Sequence, residues 1–216
     1  IADTVGLGKT LEAGILMSEL IARGKGKRIL VVTVKSMMTQ FQKEMWNRFT
    51  IPLVRLDSNR IQKIRASLPS NYNPFFYYDK TIISIDTLKR DVEYRTHLEN
   101  AYWDIIVIDE AQNVAERGDH QAQRSRLAKL LADRSDTMIM LSATPHDGRA
   151  KSFASLMNML DSTAIADPEH YTPEDIKGLC IRRFKKDVKD QVSGSFLERK
   201  ITLERCHASA QEEYAF

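Results

Sequence analysis

Eight residues near the start, Asp3-Thr4-Val5-Gly6-Leu7-Gly8-Lys9-Thr10, place two glycines, a lysine and a hydroxyl at a spacing suited to a chain of phosphates. Gly6 and Gly8 let the backbone turn tightly and approach an anion with no Cβ in the way. The amides that follow open onto a helix N-terminus, where aligned peptide dipoles favour negative charge. Lys9 has the reach for β- and γ-phosphates, and the Thr10 hydroxyl is a ligand for Mg²⁺. Val5, Gly6, Leu7, Gly8, Lys9 and Thr10 are therefore expected to hold the phosphates of a nucleotide with its metal. Asp3 departs from the common phosphate-loop pattern, which has Gly or Ala there.

A second group lies about a hundred residues on. Ile105-Ile106-Val107-Ile108-Asp109-Glu110 is an apolar strand that ends in two carboxylates. A carboxylate at that position holds Mg²⁺ through water, the role expected of Asp109. Its neighbour, Glu110, is placed to orient and deprotonate an attacking water. A third group, Leu141-Ser142-Ala143-Thr144-Pro145, again follows a buried strand. If its strand neighbours the one before Asp109, Ser142 and Thr144 can hydrogen-bond the Asp109–Gln112 turn and sense the γ-phosphate. Ser142, Ala143 and Thr144 are the expected coupling element. Gln112, whose amide both donates and accepts, is expected to bridge to Ser142 or Thr144 and completes the hydrolytic group with Lys9 and Glu110.

These groups need strands to carry them. Arg28–Val34, Thr81–Ile85, Ile105–Ile108 and Thr137–Leu141 are near-continuous apolar runs, as in strands buried on both faces, and Pro52–Leu56 is a weaker one. Helical stretches alternate with them: Lys9–Ala22, Ser36–Phe49, Asn59–Leu68, Leu88–Glu99 and Gln121–Asp133. Strands separated by helices of this length predict an α/β fold with a parallel sheet covered on both faces. Beyond Pro145 the pattern turns helical, at Ser152–Leu160 and Pro173–Lys189. Phe196–Leu203 reads as a returning strand and Ser209–Phe216 as a helix. The expected organisation is a sheet lobe over 1–148, a helical extension over 149–195 and a crossing segment over 196–216.

The bulk properties are permissive. The chain has 216 residues, 43% hydrophobic and 28% charged, with a net charge of +3, which allows an acidic partner without demanding one. Cys180 and Cys206 lie far apart and offer no paired metal-ligand spacing, so both are expected to be reduced thiols. No apolar run approaches the roughly 20 residues of a membrane span. Ile1-Ala2-Asp3-Thr4 has neither the basic start nor the apolar core of a signal peptide, and reads as the interior of a longer chain. Trp46 and Trp103 are expected in the core.

In this order the motifs resemble those of the helicase superfamily two ATPases, and among them the Swi/Snf-type double-stranded DNA translocases. Asp3–Gly14 is similar to the family's first motif in the form of its bacterial RNA-polymerase-associated branch. Asp109-Glu110-Ala111-Gln112 resembles its second motif and Ser142-Ala143-Thr144 its third. Val34–Phe41 and Ile83–Leu88 resemble the two strand-tracking motifs between them. Ile181–Val188 looks like the basic segment before the crossing to a second lobe, and Cys206–Tyr214 like the entry into that lobe. Thr4 stands where the family usually has Glu, Val34 where it has Pro, Phe41 where it has Trp and Gln112 where His is more frequent.

The resemblance implies a RecA-like first motor lobe, ATP and Mg²⁺ as cofactors, and hydrolysis that drives movement on double-stranded DNA. It implies that Lys35, Ser36, Ser84 and Thr87, just past strand ends, contact the nucleic-acid backbone. Hydroxyl, lysine and amide groups suit phosphates, so sequence preference is expected to be weak. It also implies a second motor lobe supplying arginines to the γ-phosphate, without which residues 1–216 are expected to turn ATP over very slowly. A protein target such as RNA polymerase, and a bacterial or archaeal cytoplasmic location (nuclear in a eukaryote), follow from the same likeness. Two other readings share these residues: the motor lobe of a restriction or phage-defence helicase, and a nucleotide-dependent DNA-binding module without turnover. Intact Lys9, Thr10, Asp109 and Glu110 argue against the last. The pairing of Asp-Glu-Ala-Gln with Ser-Ala-Thr argues against a small-molecule kinase.

Overall fold

The computed structural model describes residues 1–90, 92–116, 123–188 and 202. Ile1–Phe184 form one compact unit and Lys185–Phe216 another. The first unit carries five strands among the described residues: β1 (Ile29–Thr33), β2 (Val54–Leu56), β3 (Lys80–Ser84), β4 (Trp103–Asp109) and β5 (Ser135–Leu141). They form one sheet in the order β2-β3-β1-β4-β5, every pair parallel. Parallel neighbours need crossovers, and helices supply them: α2 (Met38–Phe49), α3 (Ser58–Ser67), α4 (Ile85–Arg90), α5 (Val92–Glu99) and α6 (Gln123–Ala132), while α1 (Lys9–Ala22) precedes β1 and α7 (Ala150–Leu160) follows β5.

Alternation along the strands divides the core. Ile29, Val31, Ile82, Ile105, Val107, Ile139 and Leu141 face Ala13 and Met17 of α1 and Met38, Phe41 and Met45 of α2. Leu30, Val32, Ile83, Ile106, Ile108 and Met140 face the other helices, including Ile61, Leu98, Leu127 and Leu156. Both faces are thus covered, which is why the strand sequences run apolar without a polar side. The expected α/β class and parallel sheet are both found.

Register matters more than the core for function. Thr33 lies opposite Ser84, Val32 opposite Ile108, and Asp109 opposite Leu141. Every chemically interesting strand end therefore lies along the same carboxyl edge, where open parallel sheets bind ligands. Beside β5, Ile1 N donates to the Met140 carbonyl at 2.7 Å and Ser142 N donates to the Ile1 carbonyl at 3.1 Å. The chain entering the phosphate loop is held against the end of that strand.

Two expectations need correction. Trp103 is buried, but Trp46 is 56% exposed. The inward stripe of α2 is Met38, Phe41 and Met45, and Trp46, one residue past Met45, is turned about 100° away from it. Over 173–188 there are turns rather than a helix. Gly178 there has φ +86°, a left-handed backbone that stops a helix, and most side chains are exposed, so no apolar stripe holds one together. Most of the expected strand Phe196–Leu203 and all of the expected helix Ser209–Phe216 lie outside the described residues.

Candidate active site

Gly6 and Gly8 both adopt φ +87°, the left-handed region that costs other residues steric strain. Gly8 is the N-cap of α1, and no side chain caps that helix. Leu11 N and Glu12 N donate to the Gly8 carbonyl, so the amides of Lys9 and Thr10 are the ones left to an external acceptor, as anion binding at a helix start needs. Lys9 Nζ donates to the Asp3 carbonyl at 2.9 Å, so the ammonium group folds back over its own loop.

Across from the loop, β4 delivers Asp109. Burial pushes its carboxyl pKa up from the ordinary carboxylate value, and the charge of Glu110 adds to that. The Thr33 hydroxyl and the charge of Lys9 pull the other way. Thr33 Oγ1 donates to Asp109 Oδ2 at 3.0 Å from the neighbouring strand. A carboxylate whose charge is disfavoured by burial is stabilised by a cation, and the side chains of Thr10 and Asp109 are both oxygen donors, the kind that Mg²⁺ prefers.

Glu110 leaves β4 at φ 53°, an unusual backbone for a residue with a side chain, and caps the short 3₁₀ turn Ala111–Asn113. That turn brings Gln112 back against it. Gln112 Nε2 donates to Glu110 Oε2. The Ser142 hydroxyl donates to Gln112 Oε1 at 2.6 Å, and Thr144 N donates to Ser142 Oγ at 3.2 Å. A continuous run of hydrogen bonds therefore joins the end of β5 to the carboxylate of Glu110. Ser142 is buried and Gln112 and Glu110 are half-buried, so the run is best shielded from water at Ser142. Ala143 supplies no side-chain contact to the run, and its place is that of a spacer.

The strand-tracking residues divide. Lys35, Ser84 and Thr87 line one cleft of about 440 Å³ together with Arg55, Asp57 and Ser58. Ser36 lies instead in a neighbouring depression with Thr39 and Lys43 on α2. Ser84 is buried, and its Oγ accepts from Asp86 N and Thr87 N, so it shapes the start of α4 as well as lining the cleft. Asp57 accepts from Arg60 N as the cap of α3, and Asp86 pairs with Arg124 at 2.6 Å. Those two carboxylates are engaged, while Lys35 and Arg55 face the cleft as cations.

Sequence reading missed Thr33, Arg55 and Arg183. Thr33 is a hydroxyl ending an apolar strand, a signal that gains meaning only once β1 is known to lie beside β4. Arg55 sits on the weakest strand and becomes a cleft residue only through the β2–β3 pairing. Arg183 meets the loop through contacts that span 180 residues of sequence.

Comparison with known proteins agrees with this architecture. The sequence profile of the SNF2-related domain matches residues 1–174. The chain is 32% identical over 174 residues to the RNA polymerase-associated protein RapA of Sodalis glossinidius (strain morsitans), covering 81% of this chain and 18% of that protein. It is 30% identical over 177 residues to RapA of Yersinia enterocolitica, covering 82% and 18%. The chain thus spans under a fifth of the length of these curated relatives. Among solved structures, the Sulfolobus solfataricus SWI2/SNF2 ATPase core in complex with dsDNA superposes with a TM-score of 0.63 at 24% identity, over 85% of this chain and 39% of that one. The Pyrococcus furiosus Hef helicase domain gives 0.62 at 20% identity, over 91% and 37%. Both show the RecA-like fold of such motor cores. With its profile matched across most of its length and its five parallel strands in place, the chain belongs to the SNF2-related domain family.

Proposed function

We propose that this chain is the first motor lobe of an ATP-dependent translocase on double-stranded DNA, which uses hydrolysis to displace or remodel protein bound there. The observation that carries the reading is the hydrogen-bonded run from Thr144 through Ser142 and Gln112 to Glu110, beside a half-buried Asp109 and within the electrostatic reach of Lys9. A binding module without turnover has no need of a carboxylate held in this way.

In this reading Val5–Thr10 bind the phosphates of ATP and Lys9 exchanges its contact with the Asp3 carbonyl for one with phosphate. Thr10 and Asp109 hold Mg²⁺, which neutralises phosphate charge when bound. Glu110 accepts the proton of the attacking water, and Gln112 keeps its carboxylate aimed. Because Ser142 fixes Gln112, movement at the end of β5 is felt at the base, which gives a route between the nucleic-acid edge and hydrolysis.

Lys35 and Arg55, with Thr87 and Ser58, would take the phosphate backbone of the DNA in the cleft they line. A second lobe completes the site with arginines. The named association of RapA with RNA polymerase makes a nucleic-acid-bound polymerase a target to examine, and the reading places the protein in the cytoplasm. No helix among the described residues is long and apolar enough to cross a membrane. The test is ATP turnover by the full-length protein with and without duplex DNA, repeated with Glu110→Gln. Turnover should respond to DNA and collapse in the variant while ATP binding persists.

A further inference from the structure

The carboxylate of Asp3 is fully buried at the entrance to the phosphate loop, and the hydrolytic group makes no use of it. Its main partner is Arg183, and the Glu12 carboxyl lies close beside it. Arg183 donates from its backbone N to Asp3 Oδ1 at 2.8 Å and from Nε to Oδ2 at 2.8 Å. Arg183 Nη2 also reaches Oδ2 and extends to Glu12 Oε1 in the first turn of α1. The backbone follows the same path, with Ala2 N donating to the Ile181 carbonyl and Thr4 N to the Arg183 carbonyl.

Asp3 precedes the loop and Glu12 follows it. One guanidinium therefore staples both ends of the segment that carries Gly6, Gly8, Lys9 and Thr10. Asp3 also offers its carbonyl to Lys9. A planar fork with several donors can serve two carboxylates at once; an ammonium group, a single point of charge, cannot do so in the same geometry. Without the staple, the buried Asp3 carboxylate loses the guanidinium that pairs with it, and Asp3 and Glu12 face each other as like charges.

We propose that Arg183 is a positioning residue for nucleotide binding: it fixes both ends of the phosphate loop, so that ATP affinity depends on a segment far downstream in sequence. The inference rests on the ATP-site reading above and adds to it a residue outside every motif that defines the site. It predicts that loosening the staple harms ATP binding first, because the loop's amides and Lys9 must be pre-set to meet phosphate.

The experiment measures binding of a fluorescent ATP analogue to the full-length protein, beside duplex-DNA affinity in the absence of nucleotide and the melting temperature. Arg183→Ala should raise the nucleotide Kd about tenfold or more, and Arg183→Lys by a smaller factor, with DNA affinity unchanged. Glu12→Gln, which removes only the arm toward α1, should raise it about two- to threefold. If Arg183→Ala does not fold, Arg183→Lys and Glu12→Gln decide the matter. Unchanged nucleotide Kd in folded variants overturns the role of Arg183. So does an equal loss of DNA affinity, which would mark general destabilisation. Absence of analogue binding by the unaltered protein overturns the ATP-site reading itself, and the two failures are thereby told apart.

Discussion

Replacing Thr33 by Val tests the site at a residue that no motif names. The two side chains have nearly the same shape, so the change removes one hydroxyl, buried to 1% exposure, and little packing. That hydroxyl donates to Asp109 Oδ2 at 3.0 Å. Hydrogen bonds to charged groups are worth about 1.5–3 kcal/mol, and partners that orient a metal-binding carboxylate typically change metal affinity about 10- to 100-fold. Asp109 would also lose one of the groups that oppose the upward pull of burial on its pKa. The Mg²⁺ concentration that half-saturates turnover should therefore rise by about one to two orders of magnitude. The assay is a Mg²⁺ titration of DNA-stimulated hydrolysis, paired with Mn²⁺ binding by the full-length protein, followed by electron paramagnetic resonance. The melting temperature without metal should fall modestly, because the Asp109 oxygen loses its donor while the packing is kept. An unchanged metal dependence in a folded Thr33→Val protein refutes the assignment of Asp109 as the metal carboxylate held by β1.

Three further outcomes are expected. Ser142→Ala removes the donor that fixes Gln112 and should lower DNA-stimulated turnover about tenfold while leaving ATP affinity nearly intact, as read by steady-state kinetics and equilibrium binding. Gly14→Ala would gain about 0.5–1 kcal/mol in an exposed helix, but here the new Cβ falls 2.1 Å from the Phe49 ring. A net loss of about 1–3 kcal/mol is expected from thermal or urea unfolding, and a stabilised variant would show that α1 and α2 pack otherwise. Duplex-DNA affinity should fall steeply with salt and depend little on sequence. Lys35→Ala and Arg55→Ala should each reduce the slope of log affinity against log salt by about 1, and an unaltered slope removes that residue from the cleft's contacts.

The fold was legible because its strands are buried on both faces. Apolar runs such as Ile105–Ile108 announce themselves, and parallel pairing follows from the helices between them. Trp46 misled because size alone was read as burial, while the stripe of α2 had already been filled by Met38, Phe41 and Met45. The turns over 173–188 misled because charged residues have good helix propensity, yet a helix without an apolar face has little to hold it. In the site, residues adjacent in sequence were readable and residues adjacent in space were not. Lys9, Asp109 and Glu110 stand in recognisable strings. The contact of Gln112 with Ser142 could be anticipated, given that their strands are neighbours. Thr33, Arg55 and Arg183 needed the strand order β2-β3-β1-β4-β5 and the closing contacts of the chain around the loop, and no local pattern encodes either.

The central claim is that Glu110, held by Gln112 and Ser142, is the base of a DNA-driven ATPase. Its most direct test is the rate of phosphate release by the full-length protein at saturating Mg²⁺–ATP, with and without linear duplex DNA, for the unaltered protein and for Glu110→Gln. Strong stimulation by DNA is expected, with a fall of about 10²- to 10⁴-fold in the variant and ATP still bound. Turnover that ignores DNA, or that survives Glu110→Gln, would contradict it.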